Sequence, residues 1–297
     1  MAARVVVVDG VELCLETFGH PDDVAVLLIG GAAASMDWWD ADFCRRLAAA
    51  GRLVVRYDHR DTGRSATSPA GSPAYSMTDL TTDPLRVLDA LGIRRAHVVG
   101  LSMGGGIAQV LAARHPDRVL TLTLIATSPA GSRAGDGPLP PPEPRLRALF
   151  QNPPPDPDWT DRAAVVEDIL AAERAYAGSA GVEEARVRRI AEAVVDRSHD
   201  VAAARTNHWA VIGGGGERVE FRMADLRTPT LVVHGTDDPL FPLPHGEALA
   251  AEIPGASLLT LPGMGHEVPP ERTWNVVVPA LAEHTATATA TDVGAKR

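Results

Sequence analysis

Short runs of apolar residues, rich in β-branched side chains, alternate along this chain with more polar segments. Each run has the length of a β-strand, and the later runs are continuously apolar. Continuous apolar strands are typical of a parallel sheet that helices cover on both faces. Eight strands are predicted, at residues 4–8, 12–17, 24–29, 53–57, 96–100, 120–125, 230–234 and 257–261.

The segments between these runs have helical length. One of them carries clear end signals, because Ser76 and Asp79 resemble a capping box and Gly92 stands where a C-terminal glycine belongs. The alternation predicts an α/β fold with a mostly parallel eight-stranded sheet and helices on both faces. The predicted helices of this sheet are residues 43–50, 78–91, 103–115, 246–252 and 271–284.

The pattern changes in the middle third of the chain. Prolines crowd the stretch from Pro138 to Pro157, which excludes a helix interior or a central strand there. Helical periodicity then returns at residues 161–176 and 183–195. The last residues alternate threonine and alanine without large apolar side chains. The predicted division is a core of residues 1–128 and 225–284, an inserted helical lid at 129–224 and a disordered tail at 285–297.

The charge of the chain argues against several kinds of site. With 28 basic and 38 acidic residues the formal net charge is −10, so we expect no nucleic-acid partner, since clustered basic side chains bind phosphate backbones. Lys296 is the only lysine among the 297 residues. A Walker A loop, a pyridoxal Schiff base and the Tyr-x-x-x-Lys pair of short-chain dehydrogenases each need a lysine inside the fold. We therefore expect no cofactor.

The cysteines and the apolar runs predict neither a metal site nor a membrane segment. Cys14 and Cys44 are too few for a disulfide framework and lack the spacing of metal ligands. No apolar run reaches about 18 residues, and the N-terminal run is shorter than the apolar region of a signal peptide. We therefore predict a cytoplasmic protein with no metal and no membrane partner.

The sequence Gly-Leu-Ser-Met-Gly at residues 100–104 follows a predicted strand and precedes a predicted helix. This is the Gly-x-Ser-x-Gly pattern of a nucleophile elbow, in which a strained turn exposes the serine hydroxyl above the sheet. The flanking glycines would leave room for the neighbouring strand and helix. Gly100, Gly104 and Gly106 also fit a dinucleotide pattern, but that pattern belongs after the first strand and needs the missing lysine. A plain glycine-rich turn remains an alternative.

A serine nucleophile needs a base, and the base needs a carboxylate that orients it. In folds with this elbow the chain order is serine, acid, histidine. His266, in a glycine-rich loop after the last strand, is the predicted base, and Asp238 and Asp237 compete for the acid. We favour Asp238, which directly precedes Pro239, and assign Asp237 to the turn. The predicted oxyanion donors are the backbone N–H groups of Ala32 and Met103.

The chain resembles the α/β-hydrolases, and within them the aclacinomycin methylesterase group. Four stretches carry the resemblance, at residues 57–65, 97–104, 229–246 and 253–266. The resemblance implies an α/β-hydrolase fold, a Ser102, Asp238 and His266 triad, and Ala32 and Met103 as oxyanion donors. It departs from many relatives at Gly30, where they have a histidine, and it does not extend to the lid. We interpret residues 58–65 as structural, with Asp58 and Arg60 bracing the nucleophile loop.

These observations predict a serine carboxylic ester hydrolase that forms an acyl-enzyme on a small-molecule ester. The resemblance favours a hydrophobic methyl ester, such as a polyketide-type substrate. One alternative is that the same triad hydrolyses a lactone or an amide, releases an N-terminal proline or forms a peracid. A second is a non-catalytic protein that binds a small molecule. The sequence leaves the oligomeric state open. Candidate aromatic pocket residues in the lid are Phe150, Trp159, Tyr176, Trp209 and Phe221. Burial in the lid's own core is an equal alternative for each of them.

Overall fold

The computed structural model describes residues 2–135, 137–214 and 219–294, and for residues 287–294 it describes the helical backbone alone. The remaining residues, which include parts of the predicted lid and tail, lie outside the described residues. The described chain contains one sheet with the strand order β1-β2-β4-β3-β5-β6-β7-β8. Its strands are β1 (Arg4–Val8), β2 (Val11–Phe18), β3 (Val24–Ile29), β4 (Arg52–Tyr57), β5 (Ala96–Leu101), β6 (Val119–Ile125), β7 (Thr230–Gly235) and β8 (Ser257–Leu261).

Strand pairing confirms the predicted mostly parallel sheet. The pairs β1–β2 and β2–β4 are antiparallel, and every other neighbouring pair is parallel. Each predicted strand agrees with an observed one to within one residue at either end. Because β3, β5, β7 and β8 run parallel, the loops that follow them meet at one edge of the sheet.

The helices lie on both faces of this sheet, as predicted. Adjacent residues Val98 and Val99 of β5 belong to two different cores, one on each face. This arrangement explains why the strands are continuously apolar. The helices of the described chain are α1 (Ala41–Ala48), α2 (Met77–Ala90), α3 (Met103–Arg114), α4 (Pro144–Gln151), α5 (Arg162–Tyr176), α6 (Glu184–Arg197), α7 (Val201–Gly213), α8 (Pro244–Glu252) and α9 (Trp274–Gly294).

The ends of α2 follow the signals in the sequence. The Ser76 hydroxyl accepts a hydrogen bond from the Asp79 backbone, and the Asp79 carboxylate accepts one from the Ser76 N–H at 2.9 Å. Gly92 has φ of +67°, in the left-handed region that glycine adopts without steric cost. The predicted capping box and terminal glycine are thus both confirmed.

Four helices, α4 to α7, stand between β6 and β7, in the region of the predicted lid, and we call them the cap helices. Helices α5 and α6 share an apolar core that includes Val166, Ile169 and Ile190. Helix α7 was not predicted, because its buried face carries Asn207 and His208, which obscure the apolar period. Helix α4 was not predicted either, since it begins at a proline, which the first turn of a helix tolerates.

A buried ion pair attaches the cap helices to the core. Arg197, at the end of α6, contacts the carboxylate of Asp58 at 2.6 Å and also pairs with Asp37. Asp58 is fully buried. The expectation that Asp58 and Arg60 brace the nucleophile loop is therefore wrong. Asp58 binds Arg197 of the cap helices, and Arg60 binds Asp83 of α2 at 2.8 Å. In both pairs, a buried carboxylate requires a neighbouring positive charge.

The C-terminal end of the chain differs from the expected disordered tail. Helix α9 continues from Trp274 to Gly294, and residues 295–297 lie outside the described residues. Alanine has the highest helix propensity, and packing of Trp274 and Leu281 on the sheet has already nucleated this helix. Within the described ranges, no helix combines the length and the apolar character that crossing a membrane requires.

Candidate active site

Ser102 lies at the turn between β5 and α3 with φ of +52° and ψ of −117°, a strained backbone for a residue other than glycine. Two close approaches surround this turn. A Cβ atom on Gly100 would lie 2.2 Å from the Gly104 carbonyl oxygen, and one on Gly104 would lie 2.4 Å from the Gly30 carbonyl oxygen. Only glycine fits at both positions, which is the steric reason for the motif.

Three side chains predicted from the sequence form one hydrogen-bonded chain at the loop edge of the sheet. The His266 ring lies between Ser102 and Asp238, with Nε2 2.9 Å from the serine Oγ and Nδ1 2.9 Å from the aspartate Oδ2. Because a carboxylate oxygen can only accept, Nδ1 carries the proton and Nε2 can accept the serine proton. This is the geometry that an activated serine requires.

The surroundings of Asp238 favour its ionised form. The side chain follows β7 and is 1% exposed. Burial by itself would raise the pKa of this carboxyl, but the neighbouring His266 and the backbone hydrogen bonds hold the pKa below its ordinary value. Its second oxygen accepts the N–H groups of Leu240 and Phe241 at 2.9 and 2.8 Å. Asp238 is thus fixed in place as a charged partner for the imidazole.

Asp237, the competing aspartate, points elsewhere. Its carboxylate accepts the Ser179 N–H at 3.2 Å and the Thr236 hydroxyl at 2.8 Å. These hydrogen bonds lower the pKa of the Asp237 carboxyl. Asp237 therefore binds the segment that follows α5 rather than the His266 ring.

The loop that carries His266 is bound to the same cap segment. The His266 N–H donates to the Tyr176 carbonyl at 2.9 Å, and the Ala180 N–H donates to the Gly263 carbonyl at 3.0 Å. A Cβ atom on Gly265 would lie 2.3 Å from the Tyr176 carbonyl oxygen, so this residue must be glycine. The glycines of this loop thus permit close contact with the cap, in addition to any freedom that they give the ring.

The loop after β3 lies beside the nucleophile turn. A Cβ atom on Gly31 would lie 3.6 Å from the Ser102 Cβ, which is ordinary contact. Ala33 has φ of +59°, a left-handed conformation that costs roughly 1–2 kcal/mol in a residue other than glycine. Among the described residues, neither the Ala32 N–H nor the Met103 N–H has a hydrogen-bond partner. Both predicted oxyanion donors are therefore available to a ligand.

Of the five aromatic residues proposed for the pocket, Tyr176 is beside the His266 ring, with ring centroids 5.7 Å apart. Phe150 and Trp209 are 49% and 47% exposed, and the others pack in hydrophobic cores. Core packing of Trp159 and Phe221 agrees with the alternative of burial, since the sequence gives no sign of the direction in which an aromatic side chain points. Sequence reasoning missed Phe241, whose ring lies 5.4 Å from the His266 ring.

Glu173 is an acidic residue on the otherwise apolar face of α5, one turn before Tyr176. It continues the stripe formed by Val166, Ile169 and Leu170, and no ion pair or hydrogen bond involves it within the described ranges. Burial and the nearby Glu267 carboxylate raise the pKa of Glu173 to about 7. The side chain is thus close to half-ionised at neutral pH. No group of three or more histidine, cysteine or acidic side chains in the described chain could hold a metal ion.

Comparison with known proteins identifies relatives of this chain. A family model described as alpha/beta hydrolase fold matches residues 24–273. Rhodomycin D methylesterase DauP of Streptomyces sp. (strain C5) is 34% identical and aligns with 97% of this chain and 100% of its own length. Rhodomycin D methylesterase DnrP of Streptomyces peucetius is 32% identical over the same shares of the two chains. The predicted resemblance to methylesterases is confirmed.

A similar solved structure supports the same fold. The enol-lactonase from Burkholderia xenovorans LB400 aligns with a TM-score of 0.69 and 25% identity. The alignment covers 95% of this chain and 100% of that chain. The predicted fold class is therefore confirmed by strand order, by the family model and by structural similarity.

The nucleophile turn gives a matched pair of substitutions on one helix. Gly104→Ala places a methyl group against the end of β3 and should lower the free energy of unfolding by roughly 1–3 kcal/mol. Gly106→Ala meets no atom within 4 Å and should raise it by about 0.5–1 kcal/mol, since alanine is the better helix former. Urea unfolding measures both, and equal effects would contradict the steric argument.

The raised pKa of Glu173 predicts a pH-dependent stability. The folded protein binds this proton more tightly than the unfolded chain, so the free energy of unfolding falls as the pH rises from 4.5 to about 7. Glu173→Gln removes this loss and should be more stable than the wild type by roughly 1–3 kcal/mol at pH 8, with a smaller difference at pH 5.

Urea unfolding at the two pH values tests this prediction. Glu184→Gln is the control, because the ion pair with Arg174 lowers the pKa of the exposed Glu184 carboxyl, and this variant should gain no stability at pH 8. A Glu173→Gln effect that is the same at pH 5 and pH 8 would show that Glu173 does not titrate in this range.

Proposed function

This chain belongs to the α/β-hydrolase family, and we propose that it is a serine carboxylic ester hydrolase with Ser102, His266 and Asp238 as its triad. It is a hydrolase of the esterase type. The observation that carries the proposal is the continuous hydrogen-bonded chain from the serine hydroxyl through the imidazole to a buried carboxylate. This chain supplies a nucleophile, a base and a group that orients the base.

In the first half of the reaction, Ser102 Oγ attacks the ester carbonyl carbon while His266 Nε2 takes the hydroxyl proton. Asp238 accepts the Nδ1–H throughout and stabilises the imidazolium. The negative charge that develops on the carbonyl oxygen is bound by the N–H groups of Ala32 and Met103. Each such donor contributes about 3 kcal/mol to lowering the barrier.

The tetrahedral intermediate then collapses and the ester bond breaks. His266 returns its proton to the leaving alcohol, which leaves an acyl group on Ser102. A water molecule, deprotonated by His266, attacks this acyl-enzyme on the same face and releases the carboxylic acid. No cofactor enters either half of the reaction.

We propose a hydrophobic ester of a small molecule as the substrate, and a methyl ester of a polyketide-type compound in particular. Two observations support this class. The relatives DauP and DnrP are rhodomycin D methylesterases, and they align over nearly the whole chain. The rings of Tyr176 and Phe241 flank the His266 imidazole, and such surfaces favour apolar ligands. The cap helices would then enclose the acyl or alcohol group above the core.

Lactone hydrolysis is the second candidate. It is favoured by the similarity to an enol-lactonase over nearly the full length of both chains. The same nucleophile, base and oxyanion donors serve a cyclic ester, and the two reactions differ in whether the alcohol leaves or stays attached to the acyl group. A panel of methyl esters, lactones and prolyl anilides separates these substrates, and exclusive cleavage of lactones or anilides would overturn the preference for methyl esters.

Replacing Ser102 with alanine should abolish turnover of p-nitrophenyl esters, with a loss in kcat of at least about 10³-fold, because no other nucleophile takes its place. The melting temperature should stay within a few degrees of the wild type. A fluorophosphonate probe should label the wild type and leave the variant unlabelled. Undiminished turnover in Ser102→Ala would discard the mechanism.

The two neighbouring aspartates offer a matched test of the acid. Asp238→Asn should lower kcat by about 10⁴-fold, since an amide stabilises the wrong tautomer of the imidazole and does not stabilise the imidazolium. Asp237→Asn keeps the charge of the triad and should lower kcat by less than about tenfold. Steady-state kinetics on a p-nitrophenyl ester measures both. A larger loss in Asp237→Asn would move the acid role to Asp237.

A further inference from the structure

Two buried histidines that the proposed reaction does not use bind the loop that carries Ala32. His59 follows β4, His208 lies on cap helix α7, and both side chains are 0% exposed. The Nε2 atom of His59 lies 3.0 Å from the carbonyl oxygen of Gly30. The Nδ1 atom of His208 lies 2.8 Å from the amide nitrogen of Ala33. The loop is thus bound once from the core and once from the cap.

These two hydrogen bonds fix the peptide units on either side of the proposed oxyanion donor. The Ala32 N–H belongs to the peptide that joins Gly31 to Ala32. The carbonyl of Gly30 belongs to the peptide before it, and the N–H of Ala33 belongs to the peptide after it. Each peptide is planar, so fixing both neighbours restricts the direction of the Ala32 N–H.

We propose that His208 is a positioning residue, which accepts the Ala33 N–H and thereby directs the Ala32 N–H toward the oxyanion formed on the substrate of Ser102. The inference rests on the proposed ester hydrolysis and deepens it, because it makes the docked cap a part of the oxyanion site. A donor that is loosely oriented would lose much of its preference for the transition state.

The hydrogen-bond partners of His208 define its tautomer. A backbone N–H can only donate, so Nδ1 must carry a lone pair toward Ala33. The Nε2 atom lies 2.8 Å from the carbonyl oxygen of Arg60, which can only accept, so Nε2 must carry the proton. Burial, together with the neighbouring His59, lowers the pKa of His208 to about 4. The ring therefore keeps the lone pair that Ala33 needs at neutral pH.

The conformation of Ala33 explains why this acceptor matters. Ala33 has φ of +59°, in the left-handed region that alanine avoids unless its surroundings hold it there. Without the His208 acceptor, the partly buried Ala33 N–H would lose its partner, and the loop could relax toward an ordinary backbone conformation. Gly31, the residue before Ala32, lies against Ser102. That relaxation would therefore turn the Ala32 N–H away from Ser102.

A matched pair of substitutions at one position separates positioning from packing. In His208→Asn the amide oxygen stands near the place of Nδ1 and can still accept the Ala33 N–H. In His208→Gln the amide nitrogen stands near the place of Nε2 and can still donate to the Arg60 carbonyl, but the acceptor for Ala33 is lost. Each variant keeps one of the two hydrogen bonds, so their melting temperatures should fall by similar amounts.

The kinetic measurement is turnover of p-nitrophenyl butyrate at pH 7.5, for the folded fraction of each variant. His208→Gln should lower kcat by about 10–100-fold and leave KM within about threefold. This decrease in kcat is smaller than the one expected when an oxyanion donor is removed completely. His208→Asn should keep kcat within about threefold of the wild type. The affinity for a trifluoromethyl ketone, which forms an oxyanion on Ser102, should fall in proportion to kcat/KM in His208→Gln, whereas the affinity for butyrate should not change.

Equal kcat in the two variants, or a loss of trifluoromethyl ketone affinity no greater than the loss of butyrate affinity, would overturn the proposal. If either variant does not fold, nitrogen-15 NMR spectra of the wild-type imidazoles test the proposal through the tautomer of His208. The His208 ring should remain the neutral Nε2–H tautomer from pH 8 to pH 5, and a ring that carries its proton on Nδ1 or becomes charged near pH 6.5 would refute the inference. A wild type that neither turns over esters nor reacts with a fluorophosphonate would instead refute the proposed function.

Discussion

The close approach of three backbone segments around Ser102 is the constraint on which the rest of the site depends. The end of β5, the start of α3 and the end of β3 come so near to one another that Gly100 and Gly104 have no room for a side chain. This proximity holds the serine in its strained turn and brings the loop after β3 into contact with it. Because the sheet is parallel at this point, the loops after β7 and β8 open at the same edge and bring Asp238 and His266 within reach.

Several polar contacts join the cap helices to this edge of the sheet. Arg197 pairs with the buried Asp58, His208 binds the backbone of the Ala33 loop, and the Tyr176 carbonyl accepts the His266 N–H. The hydrophobic effect is non-directional, whereas a buried charge or N–H that loses its partner carries a large penalty. These contacts therefore select one docked arrangement of the cap. Two of them reach the segments that would carry the oxyanion donor and the base.

Environment gives different roles to residues of one type. His266 lies between a hydroxyl and a carboxylate, which suits it to exchange protons. His59 and His208 lie against backbone groups in full burial, which lowers the pKa of each to about 4 and keeps them neutral as fixed hydrogen-bonding groups. Glu173 shows the converse for an acid, since burial beside Glu267 favours its protonated form. The local dielectric and the available partners decide each case.

The sequence by itself determined the strands, the nucleophile turn and the positions of Ser102 and His266 after their strands, because apolar runs and glycine spacing are local properties of the chain. It left Asp237 and Asp238 as alternatives, since neighbouring residues in a turn point in different directions that only the docked loops define. It gave no sign of His208, whose contact with Ala33 spans 175 residues. Tertiary structure alone decided such contacts, because they depend on where the cap helices meet the sheet. A single buried polar residue produces no periodic pattern in the sequence from which its contact could be predicted.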